Sequence, residues 1–249
     1  MIYIRSQEEI EKMRESNRIV AETILVLGRE IKPGIQTRKL DKIADDYIHS
    51  CHAKSAFKGY RGYPASICIS IDEEVVHGIP SKRELLAGQI VSVDVGVEKD
   101  GYFGDAAYTF PVGEVSEVKA HLMQVTKDSL YKGIEKALPG KHLSDIGNAV
   151  QSYAEKNGFS VVRDMVGHGI GERLHESPEV PNYGEAGRGP VLRPGMCLAI
   201  EPMVNAGTFE VYALDDDWTV VTADHQPSAH YEHTIAITEN GPVILSVSE

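Results

Sequence analysis

The chain has 249 residues, 42% of them hydrophobic and 25% charged, the make-up of an ordinary globular protein long enough to bury a sizeable core. With 25 Lys+Arg against 37 Asp+Glu, its net charge of −12 gains nothing from a phosphate backbone or an anionic membrane surface, which argues against direct nucleic-acid or membrane binding. Cys51, Cys68 and Cys197 are scattered and lack C-x-x-C spacing, so they give neither a disulfide framework nor a thiolate zinc site.

The N-terminus shows no signal-peptide pattern, and no run of about 18 apolar residues could span a bilayer. A reducing, cytoplasmic setting is expected. Ser6-Gln7-Glu8-Glu9 fits a capping box, after which Ile10, Met13, Ile19, Val20, Ile24 and Leu27 recur at helical spacing until Lys32-Pro33-Gly34. A second helix follows, with Leu40, Ile43, Ala44, Tyr47, Ile48 and Cys51 on one face. Strands are predicted over Ile67–Ile71, Ile90–Val97 and about Tyr102–Phe110, the last two joined as a hairpin through Lys99-Asp100-Gly101. Two more helices are predicted at about Val115–Leu138 and Ser144–Asn157, the second closed by Gly158. Strand-like runs and Gly/Pro-rich loops fill the remainder, with no disordered linker.

A weak internal repeat emerges. Pro33-Gly34, Leu40, Ala44 and Tyr47 match Pro139-Gly140, Ile146, Val150 and Tyr153 at an offset of 106. Leu85, Gly88, Ile90 and Asp94 match Leu192, Gly195, Cys197 and Glu201 at an offset of 107. Each half reads helix, Pro-Gly, helix, strands, with an acidic residue ending one strand. A duplicated fold of α and β elements is expected, with halves of about 1–115 and 116–249. No G-x-G-x-x-G or P-loop is present.

The midpoint of Asp94 and Asp105 falls at the predicted turn, so the two are expected nearly opposite each other on the hairpin, amid apolar neighbours. Like charges so placed destabilise a ladder unless a proton or a cation lies between them, or the hairpin end is solvated. Glu201 and Glu232 are the matching acids of the second half. Four carboxylates converging on one centre require hard divalent cations. His168 sits in the glycine-dense run Gly167–Gly171, with His175 seven residues on and His77 in Val76-His77-Gly78-Ile79-Pro80. Any one of these alone is better read as a surface or satisfied core histidine. His49, His52, His121, His142 and His225 are read as surface residues. His230 and His233 flank Glu232 and are candidates to support the ligands from behind, although strand alternation would point them away from its face. One imidazole and four carboxylates form the inventory for two adjacent divalent metals that hydrolyse a carbonyl compound.

These residues also carry a family likeness. Gly59-Tyr60-Arg61-Gly62-Tyr63-Pro64, Val76–Pro80, Asp94 with Asp105, Gly167–Gly171, Glu201–Gly207 and Tyr231–Thr234 together resemble the type I methionine aminopeptidases over essentially the whole chain. The resemblance implies the α+β pita-bread fold, a curved antiparallel sheet flanked by helices with pseudo-two-fold halves, as one catalytic domain spanning 1–249. It implies two divalent ions (Co, Mn, Fe or Zn), bridged by Asp105 and Glu232, with Asp94 completing one site and His168 with Glu201 the other. A water activated there attacks the first peptide carbonyl, Glu201 takes its proton, His175 donates to the carbonyl oxygen and His77 meets the substrate amide. The methionine pocket would include Tyr60, Tyr63, Cys68 and Trp218; read alone, these tyrosines are ordinary loop packing and the tryptophan a surface anchor.

The implied reaction removes the initiator Met from nascent polypeptides whose second residue is small; a monomer is the default state, and a link to the ribosome follows from the family role only. With Ile2 next in line, the chain is expected to keep its own Met1. Phe57 stands where a cysteine is frequent in the family, Leu174 where an aromatic is, Asp72 for an asparagine and Gly96 for a threonine of some members. The competing readings are the Xaa-Pro peptidases, which share the fold and ligand types, and a non-catalytic pita-bread binding protein.

Overall fold

The predicted capping box opens α1 (Gln7–Glu30): Ser6 Oγ accepts from Glu9 N at 3.3 Å, and Glu9 Oε2 accepts from Ser6 N at 2.8 Å. The protein is described here from a computed structural model, which covers residues 1–248. After α1 come α2 (Thr37–Ser50), β1 (Lys54–Ser55), β2 (Cys68–Ile71), β3 (Glu74–Val76), β4 (Ile90–Lys99) and β5 (Tyr102–Pro111). The second half begins with α3 (Glu117–Ile134), α4 (Leu143–Lys156), β6 (Ser160–Val161), β7 (Gly167–Gly169) and β8 (Glu176–Val180). It continues with β9 (Cys197–Ile200), β10 (Met203–Asn205), β11 (Val211–Ala213), β12 (Val220–Thr222), β13 (Ser228–His230), β14 (His233–Thr238) and β15 (Gly241–Ile244). The third helix is shorter than its sequence pattern predicts, because beyond Ile134 the chain tightens into i→i−3 turns, Lys136 N to Gly133 O and Ala137 N to Ile134 O, ahead of Pro139.

The ladders are antiparallel and fall into four sheets. In the first half β4 pairs with β5 on one edge and with β2 and β1, end to end, on the other. In the second half the order is β15-β14-β9-β7-β8, and β13-β10-β6 forms a smaller sheet. A third group, β11-β12-β3, joins strands of both halves. Each helix pair backs its own sheet. Leu27 of α1 and Leu40 and Ile48 of α2 pack on Val91, Val93 and Val95, while Leu130, Ile146 and Val150 pack on Leu198, Ile200 and Ile235. The helix, Pro-Gly, helix, strands order of the repeat is therefore also an order of packing.

Two threonines sew the halves together along β5. Thr109 Oγ1 donates to His230 O at 2.8 Å and accepts from His230 N at 3.0 Å. Thr234 Oγ1 donates to Asp105 O at 2.8 Å and accepts from Asp105 N at 3.3 Å. Between them Glu232 N donates to Ala107 O at 2.9 Å. The seam thus runs through two of the acids singled out in the sequence.

Candidate active site

The hairpin corrects one expectation. Its turn is the two-residue Asp100-Gly101, both with positive φ (53° and 82°), so Lys99 faces Tyr102. Asp94 consequently lies across from Ala107, and Asp105 across from Gly96. The two acids are diagonal neighbours on one face rather than opposite partners, still in hydrogen-bonding reach. In the second half the ladder ends where Ile200 pairs with His233, and Glu201 and Glu232 are the next residues beyond that pair.

His168 on β7 enters this acidic centre. Its Nε2 lies 3.5 Å from Glu201 Oε1 and 3.9 Å from Asp105 Oδ2. Its Nδ1–H donates to Gly169 O at 2.9 Å, which leaves the Nε2 lone pair facing the carboxylates. Ligand atoms of Asp105, His168 and Glu232 lie within 4.8 Å of one another, and all three residues are buried. Asp94 Oδ1, Asp105 Oδ1 and Glu232 Oε1 are buried without any hydrogen-bond partner.

Burial pushes the Asp94 carboxyl up to about 7. Asp105, Glu201 and Glu232 are raised in the same direction, by burial first and then by the neighbouring acids. Burial lowers His168 to about 4, so it stands as the neutral imidazole that a metal ligand must be. Orphaned, converging oxygens with one imidazole lone pair fit divalent cations: only a proton or a cation relieves such a cluster, and its donor set suits Mn, Fe, Co or Zn.

His230 is the flanking histidine for which the alternation argument failed. Its Nε2 is buried, has no hydrogen-bond partner and lies 3.8 Å from Glu201 Oε2. The alternation argument assumed one continuous strand, but β13 ends at His230 and β14 starts at His233, so the chain changes sheets at Tyr231-Glu232. His233 does point away, its Nδ1 2.8 Å from Ser246 Oγ.

A cavity of about 150 Å³ opens onto the cluster. Its lining joins the cluster of Asp94, Asp105, His168, Glu201 and Glu232 to an apolar cluster of Phe57, Tyr60, Tyr63, Cys68, Leu174 and Trp218, and includes His77 and His175. All eleven residues named as site candidates in the sequence line this one cavity. Tyr63 donates to Gly78 O at 2.9 Å and meets the edge of Trp218 at 5.0 Å. Tyr60 Oη lies 2.9 Å from His175 Nδ1, with the rings stacked. His175 also lies against His168, ring centroids 4.2 Å apart. Burial pushes the Cys68 thiol up, which makes it a wall rather than a nucleophile.

Three of the unusual positions now have physical partners. A Cβ on Gly96 would collide with the Phe57 ring, so the large side chain at 57 and the absent one at 96 are a matched pair. Asp72 accepts from Lys119 Nζ at 2.6 Å and from Ile90 N at 3.0 Å, an ion pair that ties α3 to the first half.

The model for metallopeptidase family M24 matches residues 11–239. The chain belongs to metallopeptidase family M24. Over 250 aligned residues it is 55% identical to a methionine aminopeptidase of Clostridium acetobutylicum, covering 100% of both chains. The crystal structure of methionine aminopeptidase from Thermotoga maritima superposes with a TM-score of 0.98 at 46% identity, again over the whole of both chains. Prolidase from Pyrococcus furiosus shares the fold, with a TM-score of 0.79 at 22% identity, and 99% of this chain covers 66% of that longer one. The M24 architecture is thus the pita-bread fold expected from the sequence, and the chain is a metal-dependent hydrolase. No helix among the described residues is long and apolar enough to cross a membrane.

Proposed function

We infer that this chain is a methionine aminopeptidase that removes the initiator Met from nascent polypeptides whose second residue is small. The observation that carries the reading is the one cavity whose lining joins acids and an imidazole to an apolar cluster. Full-length identity to a named methionine aminopeptidase supports it over the Xaa-Pro reading, whose solved relatives share only the fold. Residues 1–249 act as one catalytic domain, a cytoplasmic monomer that meets its substrates as they leave the ribosome.

Asp105 and Glu232 would hold both of two divalent cations, with Asp94 completing one site and His168 and Glu201 the other. Bound there, such cations polarise the scissile carbonyl and make water a competent nucleophile near neutral pH. Glu201 takes the proton that the attacking water loses. With Tyr60 Oη donating to His175 Nδ1, the Nε2 of His175 keeps its proton and donates to the carbonyl oxygen as negative charge builds, a contribution of about 3 kcal/mol for a positioned donor. His77 contacts the amide nitrogen. Tyr60, Tyr63, Cys68 and Trp218 enclose the methionine side chain.

The test uses metal-stripped protein re-supplied with Mn, Fe(II) or Co and offered Met-Ala-Ser beside Met-Val-, Leu-Ala- and Ala-Pro-peptides. Release of Met from Met-Ala-Ser, abolished by chelator, is the expected result. Cleavage of the Ala-Pro peptide alone moves the chain to the Xaa-Pro group, and silence with every metal in a folded protein revives the binding-protein reading.

A further inference from the structure

Outside the cavity, the most connected buried charge is Arg5, at the entry to α1. Its guanidinium Nη2 donates to both oxygens of Glu176, at 2.6 and 2.8 Å, and Nη1 donates to Glu172 Oε2 at 3.0 Å and Glu9 Oε1 at 3.2 Å. The Arg5 and Glu176 side chains are each only 4% exposed. Glu176 is the residue after His175, and its Oε1 also accepts from the backbone of Glu172 at 3.0 Å and Arg173 at 3.2 Å. One carboxylate therefore closes the 172–176 loop on itself and ties it to Arg5. Gly171 fits the same arrangement, since a Cβ there would collide with the guanidinium. The backbone is fastened ahead of that arginine by a bridge from Ile2 to Ser177, and at the arginine itself by Arg5 N donating to Gly195 O at 2.7 Å.

We propose that residues 2–6 form a strap across the active-site loop, and that Arg5, through Glu176, is a positioning residue that holds His175 and Leu174 against the cavity. Arg5 touches no substrate. It acts by fixing the backbone that carries the His175 donor, whose ring stacks on Tyr60 and lies against His168. A forked guanidinium suits the task, because it serves three carboxylates at once where an ammonium offers a single point.

This proposal rests on the aminopeptidase reading, so its test has an arm that needs no catalysis. Arg5→Gln, Arg5→Lys, Glu176→Gln and the Arg5→Gln/Glu176→Gln double variant are compared with the wild type, metal-loaded and normalised to the folded fraction. With a donor misplaced by a fraction of an ångström, kcat on Met-Ala-Ser is expected to fall between about 10- and 100-fold in Arg5→Gln, with KM changed by less than about threefold. Arg5→Lys is expected to recover part of the loss, and the double variant to be no worse than the more damaged single one. Hydrogen exchange at the Glu172 and Arg173 amides is expected to speed up, while metal affinity by calorimetry stays put.

Folded Arg5→Gln with wild-type kcat and unchanged exchange at those amides overturns the strap. So does a loss that tracks only the unfolded fraction. If Arg5→Gln does not fold, Arg5→Lys carries the same two readouts. Wild-type protein that releases no Met sinks the aminopeptidase reading instead, and the exchange arm still decides the strap.

Discussion

In the first half, Asp94 and Asp105 project from an unbroken hairpin of two ten-residue strands, every strand position of which is paired. In the second half, Glu201 lies just past the end of β9 and Glu232 just before β14, where the backbone leaves one sheet for another. The first arrangement fixes two charges by ladder geometry alone. The second gives up regularity, and with it come three of the four histidines near the centre: His168, His175 and His230 belong to the second half, and His77 alone to the first. In exchange, the first half supplies most of the apolar wall, Phe57, Tyr60, Tyr63 and Cys68. The repeat relates Asp94 to Glu201, and each half supplies two of the four acids. Divergence between the halves accounts for the groups that make a clustered charge into a reactive site.

Removing a charge at the seam should break that partnership most severely. Asp105→Asn is expected to lower kcat/KM by more than the ~100-fold that outer-shell changes around metals cost. It should also weaken metal binding in calorimetry; a variant with wild-type metal affinity contradicts a shared centre.

Proton competition gives the largest effect on stability. Asp94 is raised from 3.8 to about 7 in the folded chain, so its stabilising contribution without metal is full below its unfolded value and lost as pH rises through 7. Asp105, Glu201 and Glu232 shift in the same sense. A cation replaces the protons these groups shed. The rise in Tm on adding Mn to chelated protein should therefore grow between about pH 5 and pH 8. Contributions from histidines away from the cluster cancel in that difference. A rise that is flat or shrinks over this range would remove the acids from the metal site.

Next comes the stitch itself. Thr234→Val deprives the Asp105 backbone of its hydroxyl partner in a fully buried position, at a cost of about 2 kcal/mol, or a fall in Tm of roughly 4–8 °C. The smallest expected effect lies in the apolar wall. Gly96→Ala pushes the Phe57 ring toward the slot and should raise KM for Met-Ala-Ser by ~10-fold with metal affinity unchanged.

Local chemistry made much of this architecture readable. Ser6 and Glu9 announce α1, Asp100-Gly101 the hairpin and Gly158 the end of α4, because each satisfies a backbone requirement within a few residues. The four acids and one imidazole of the centre were readable as a repeat plus a motif. What escaped depends on partners far along the chain. His230 faces Glu201 because two strands that look continuous belong to different sheets. The diagonal offset of Asp94 and Asp105 follows from where a two-residue turn closes, and midpoint counting misplaced it. Arg5 meets Glu176 across 171 positions, and no periodicity encodes that meeting. Phe57 and Gly96 are each odd alone and make sense only together.

That both halves share one metal centre is tested most directly by an anomalous-scattering crystal structure of Mn-loaded protein. Two ions are expected, both touched by Asp105 of the hairpin and Glu232 beyond it, with His168 on one of them. Manganese bound to the acids of a single half, or seated away from the seam, would contradict it.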